Sequence, residues 1–181
     1  MQGPPQEEAQ VAPFRASLSG GMVKVTETER FGELEESGYG SREGHELVLR
    51  DFEALYLLYA HKLDLEEAGA KVSFERLAEL SQGKAGDSWT KFVIYRDLRS
   101  RGYIVREGFG FGTDLRVYDR GDYPKKPAKY VVFALDEGIE KGMADLQKSV
   151  KEMARMGKEA IIAVIERRGE VIYYKVSRAR F

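Results

Sequence analysis

The chain contains no cysteine, which excludes a disulfide framework, a thiolate metal site and a cysteine nucleophile. Histidine is nearly absent as well: His45 and His61 are the only two, and both lie in the first half. Imidazole is the side chain best suited to passing a proton near neutral pH, so the second half lacks the commonest general acid. His45 sits in a polar, turn-like segment and His61 near the end of a helical run, where an imidazolium meets exposed carbonyls; a structural role is the expectation for both. Net charge is equally scarce. The 29 Lys and Arg almost cancel the 30 Asp and Glu, leaving -1, so no overall basic field captures nucleic acid and any RNA site must be a local patch. Long apolar runs are missing too. Ala160 to Ile165 is far too short to span a bilayer, and Met1 to Gly21 has neither the basic start nor the apolar stretch of a signal peptide. The expectation is a soluble, cytoplasmic protein with no membrane partner.

What is present suffices for a packed core: 181 residues, 43% of them hydrophobic, suit one large domain or two small ones. Met1 to Gly21, rich in Pro, Gln, Ser, Ala and Gly, shows no period and is expected to be a mobile tail (residues 1–21). Val23 to Thr26 and Glu46 to Leu49 read as short strands, and Leu49 to Leu63 carries apolar residues at helical spacing. Ser73 caps a second expected helix through Leu80. Asp87 caps a third that runs past Trp89, Phe92 and Leu98 and is ended by Gly102. Beyond it, Tyr103 to Val105, Leu115 to Tyr118, Tyr130 to Leu135, Ala160 to Ile165 and Val171 to Val176 read as strands, interrupted by a helix from Met143 to Met156. The fold class is α/β in the α+β sense: a small N-terminal α/β domain over 22–87 and a C-terminal mixed-sheet domain over 88–181.

Candidate chemistry is sparse. Gly108-Phe109-Gly110-Phe111-Gly112-Thr113-Asp114 superficially resembles a phosphate loop, but it leads into a strand rather than a helix, which favours a tight strand connection. Asp114 with Asp136 or Glu137 could hold a magnesium ion beside a phosphate, although carboxylates this common are usually solvated. Lys125, Lys126 and Lys129, and again Arg167, Arg168, Arg178 and Arg180, form local basic clusters able to meet phosphates.

The order of several segments carries more than any one of them. Phe31-Gly32-Glu33-Leu34-Glu35-Glu36-Ser37-Gly38-Tyr39-Gly40 followed by Glu53-Ala54-Leu55-Tyr56-Leu57-Leu58 resembles the N-terminal domain of archaeal tRNA-intron endonucleases. Tyr95-Arg96-Asp97-Leu98-Arg99-Ser100-Arg101-Gly102-Tyr103-Ile104-Val105, the glycine-rich segment and Leu115-Arg116-Val117-Tyr118 resemble the opening of that family's catalytic domain, and Lys158 to Ile165 with Val171 to Val176 its last two strands. The resemblance implies metal-free and cofactor-free RNA cleavage: a Tyr as general base on the 2′-hydroxyl, a His protonating the departing 5′-oxygen, and a Lys stabilising the phosphorane-like transition state, giving 2′,3′-cyclic phosphate and 5′-hydroxyl ends. By the same resemblance Tyr118 occupies the Tyr position and Lys158 the Lys position. The His position, in a His-x-x-aromatic-apolar pattern, reads Pro127-Ala128-Lys129-Tyr130-Val131. Pro127 has no proton to give, and Lys126 stays too strongly protonated to replace an imidazole.

The resemblance therefore implies a structural subunit, with Tyr118 and Lys158 as remnants, working beside a His-bearing homologue in a heterotetramer of two chains of each kind on the bulge-helix-bulge of precursor tRNA. It further implies partner binding through an acidic loop, here Asp136-Glu137, that enters a basic cleft, and through pairing of a C-terminal strand carrying Val171 and Tyr173. An ordinary polar turn and an internal strand are the plainer readings of those two segments. A self-sufficient homodimeric nuclease with a substituted acid and a non-catalytic RNA-binding protein stay open as alternatives.

Overall fold

The computed structural model describes residues 12–82, 88–110, 113–136 and 143–178. The chain divides into two compact units, Met1–Arg96 and Asp97–Phe181. The fold class is the expected one, two mixed sheets each accompanied by helices.

The first unit contains β1 (Phe14–Ser19), β2 (Met22–Val25), a single 3-10 turn (Thr28–Arg30), α1 (Phe31–Glu36), β3 (Ser41–Glu43), β4 (Glu46–Leu49), α2 (Asp51–Tyr59), β5 (Leu63–Glu67), β6 (Ala70–Lys71) and α3 (Phe74–Gln82). Its sheet runs in the order β3-β4-β2-β1-β5-β6, with β1 and β5 parallel. The expected tail over 1–21 is thus corrected: part of it, Phe14–Ser19, is a central strand of this sheet. Phe14, Ala16 and Leu18 alternate with polar neighbours and bury completely, a strand period that the surrounding Pro, Gln and Gly conceal. Residues 1–11 lie outside the described residues. The turn from β1 to β2 uses Gly20 and Gly21, both at positive φ (58° and 75°), which a two-residue hairpin turn of this hand requires.

α2 is shorter than the run read from Leu49 to Leu63. Glu53 accepts the backbone N–H of Arg50 at 2.9 Å and closes the first turn, while Phe52, Leu55 and Tyr56 bury. At the other end Lys62 N–H reaches the Leu57 carbonyl at 2.8 Å and His61 N–H that of Leu58 at 3.1 Å, with His61 itself at φ 56°. That is a Schellman closure, so His61 ends the helix and β5 begins at Leu63. His45 lies exposed in the β3–β4 turn. The cap by Ser73 is present, its Oγ accepting from Arg76 N–H at 3.2 Å; Asp87 lies outside the described residues.

α4 (Ser88–Ser100) passes from the first unit into the second. It ends at Gly102, where Tyr103 N–H bonds the Leu98 carbonyl. The second unit continues with β7 (Ile104–Gly110), β8 (Thr113–Tyr118), β9 (Tyr130–Asp136), α5 (Met143–Arg155), β10 (Glu159–Ile165) and β11 (Val171–Val176), in the sheet order β11-β10-β9-β8-β7. The glycine-rich segment connects two antiparallel strands, with a register shift between Glu107 and Gly110. β9 and β10 are the parallel pair, joined across α5, and every other pair is antiparallel. The inward stripe of α5, Leu146, Val150 and Met153, packs on Val131, Phe133, Ala160 and Ile162, one face of β9 and β10. No helix among the described residues is long and apolar enough to cross a membrane.

Candidate active site

One end of the second sheet brings the expected site residues Tyr118 and Lys158 into register. Val117 pairs with Tyr130, and Tyr130 with Glu159. Beyond these pairs the ladder continues for one more step, because Lys129 N–H donates to the Val117 carbonyl and Glu159 N–H to the Lys129 carbonyl, both at 3.0 Å. Tyr118, Lys129 and Lys158 therefore occupy one row across β8, β9 and β10, a consequence of strand register alone.

Each member of the row is held differently. Tyr118 ends β8, is 9% exposed and meets Tyr123 edge to face with ring centroids 4.8 Å apart. Lys158 follows Gly157, whose φ of 67° closes α5 by the same Schellman geometry, with Lys158 N–H on the Met153 carbonyl at 2.9 Å. Its Nζ donates to the Ala128 carbonyl at 2.5 Å and lies 5.8 Å from the centroid of Phe109. Ala128 is buried, whereas Pro127 beside it is exposed on the connection from β8 to β9. The Lys158 ammonium thus contacts the residue next to Pro127.

Two further cations of this connection are already engaged. Lys126 Nζ meets Asp122 Oδ1 at 2.6 Å and Lys129 Nζ meets Asp119 Oδ2 at 3.0 Å. The hydrogen bond from Asp122 raises the Lys126 pKa above its ordinary value, and contacts with Tyr130 and then Asp119 raise that of Lys129 further still. A stronger hold on the proton is the opposite of what a general acid needs near neutral pH. His45 and His61 both lie in turns of the first unit.

The other expected residues separate. Asp114 is engaged structurally, Oδ2 accepting from Ala134 N–H at 2.7 Å. The side chain of Asp136 and the whole of Glu137 lie outside the described residues, as does Arg180. Val171 begins β11, which is an edge strand of its sheet. Tyr173 donates its hydroxyl to Asp97 Oδ2 at 2.7 Å, and Asp97 also grips Arg101 through two hydrogen bonds of 2.9 and 3.2 Å. Lys125, Arg167, Arg168 and Arg178 are exposed. Sequence reasoning missed the Ala128 carbonyl, Tyr123 and Phe109; their approach to the row is a matter of tertiary contact that no local pattern announces.

Comparison with known proteins bears on this arrangement. Residues 88–173 match the family described as tRNA intron endonuclease, catalytic C-terminal domain, and residues 14–78 match tRNA intron endonuclease, N-terminal domain. The tRNA-splicing endonuclease of Methanococcus maripaludis is 30% identical over 162 residues, covering 89% of this chain and 92% of that one. The chain belongs to the tRNA intron endonuclease family. Other family members at similar distance are the tRNA-splicing endonucleases of Thermococcus gammatolerans, 31% identical over 91% of this chain and 97% of that one, and of Pyrococcus furiosus, 30% identical over 91% and 95%. Both family matches together span the row and the strand β1, the N-terminal one beginning at residue 14.

Proposed function

We propose that this chain is the structural subunit of a tRNA-splicing endonuclease, cutting precursor tRNA at bulge-helix-bulge intron boundaries only in company with a homologous chain that carries the histidine. One observation carries the reading: position 127 is Pro, and the neighbouring Ala128 carbonyl holds the Lys158 ammonium. A row with a phenol and an ammonium but no tuned acid stabilises charge without protonating a leaving 5′-oxygen, and losing the acid lowers the rate by about 10²- to 10⁴-fold. The working base, acid and charge-stabilising lysine then reside on the partner, which yields the 2′,3′-cyclic phosphate and 5′-hydroxyl ends.

Assembly on this reading is a cytoplasmic heterotetramer of two chains of each kind. The edge position of β11 supports partner pairing through Val171 and Tyr173, since an edge strand offers unpaired backbone groups. The acidic turn Asp136-Glu137 is the counterpart expected to enter a basic cleft on the other chain. The test is cleavage of a bulge-helix-bulge precursor tRNA by the purified chain, alone and mixed with a His-bearing homologue from the same source. Cutting confined to the mixture is expected; robust cutting by this chain alone would overturn the assignment.

A further inference from the structure

Four aromatic rings of the first unit gather where α2 ends and where α3 and α4 begin. Phe74 and Phe92 are central, 5.5 Å apart between centroids. Tyr59 lies 6.3 Å from Phe74 and 6.2 Å from Phe92, and Trp89 lies 6.4 Å and 5.3 Å from the same two rings. Phe92 is fully buried, as a core residue should be, yet the outer rings are not: Tyr59 is 53% exposed and Trp89 47%. Large aromatic rings left half in water, on a base formed by the buried Phe92 and the half-buried Phe74 that fixes their orientation, form a stacking surface prepared in advance.

A cation accompanies them. The Arg96 guanidinium lies over Tyr59 at 5.5 Å and over Phe92 at 5.7 Å, and among the described residues no carboxylate is paired with it. A protein hot spot centred on such rings would need an acidic group from the partner. An unpaired nucleotide brings both requirements at once, a flat base for the rings and a phosphate for the guanidinium.

We infer that Tyr59, Trp89 and Arg96, all in the first compact unit, form a binding site for an unpaired base of single-stranded RNA, distinct from the row of Tyr118, Lys129 and Lys158. The base stacks on the exposed indole or phenol ring and Arg96 meets the adjacent phosphate. The site does not depend on which chain of the endonuclease cuts, so its failure and that of the subunit assignment are separately visible.

Trp89 is the sole tryptophan of the chain, so its emission reports the site without labelling. The full-length chain is titrated with a short single-stranded oligoadenylate RNA, with the same length of abasic ribose-phosphate and with a blunt RNA duplex. Saturable quenching by oligoadenylate, little by the abasic strand and little by the duplex is the expected result. Binding measured independently by anisotropy of a labelled oligoadenylate should weaken at least about five-fold in Trp89→Leu and persist in Trp89→Tyr, which keeps a stacking ring. Arg96→Gln should lower the magnitude of the log-log salt slope by about 0.7, the release expected for one phosphate contact on a single strand. Equal quenching by the abasic strand, no quenching at all, or undiminished affinity in a folded Trp89→Leu chain would overturn the inference. So would quenching produced by the partner protein without RNA and not by oligoadenylate.

Discussion

Lys158 and Ala128 are joined across two neighbouring strands: the Nζ of the residue that precedes β10 donates to the carbonyl of the residue that nearly opens β9. A lysine committed to a backbone carbonyl is a strut as much as a charge. In Lys158→Ala, loss of a partly buried bond to an ionised donor should destabilise the chain by about 1–2 kcal/mol, read from urea unfolding. Cleavage by the complex with the His-bearing partner should change little, because on the structural-subunit reading the working lysine is the partner's. A collapse of that activity with the fold intact would assign Lys158 to the chemistry.

Restoring the missing acid is the converse experiment. Pro127→His should give the isolated chain cleavage at least about 10²-fold above its starting level, with a dependence on pH that the unaltered chain lacks. Adding Tyr118→Phe should abolish the gain. No gain in a folded Pro127→His chain would place the deficit elsewhere in the row.

The hydroxyl of Tyr173 supplies a prediction at alkaline pH. Burial raises its pKa well above the ordinary phenol value, and the hydrogen bond to Asp97 adds to the effect. The unfolded chain releases this proton near about pH 10 while the folded chain retains it, so the contribution is complete below that pH and declines as pH rises above it. Tyr173→Phe should lower stability at neutral pH by about 1–2 kcal/mol and flatten the alkaline decline. Urea midpoints of both proteins between pH 8 and 11 test this; parallel curves would show that the hydroxyl contributes nothing specific.

Removal of residues 1–21 tests the role of β1. A dispensable tail would leave unfolding unchanged. Because Phe14, Ala16 and Leu18 form the buried side of a central strand, the truncated chain should lose the cooperative unfolding of its first unit, seen by circular dichroism in urea.

How far these features could be read beforehand follows from how local their causes are. β9, β10 and β11 were legible because continuous apolar or β-branched runs identify buried strands without reference to anything distant. β5 was not: Leu63-Asp64-Leu65-Glu66-Glu67 continues a helical-looking run, and only the left-handed His61 separates the two. α1 is six residues with two buried side chains, too short for a period to emerge. At the site, Tyr118, Lys158 and the missing histidine at 127 came from resemblance in segment order. Their common row came from strand pairing, and the contact with Ala128 spans a separation over which sequence offers no signal.

The placement of position 127 has a consequence for how such a protein tolerates change. Tyr118 is buried at the end of a paired strand and the Lys158 side chain is bonded to the Ala128 carbonyl, so replacing either disturbs the sheet. Residue 127 is exposed on an irregular connection outside the ladder. On the structural-subunit reading, a change there is felt by the chemistry and scarcely by folding, so the proton donor is the member of the proposed triad that selection can discard while the scaffold stays intact. Division of labour between homologous chains is then a short evolutionary step, since the scaffold survives the retirement of its own catalyst.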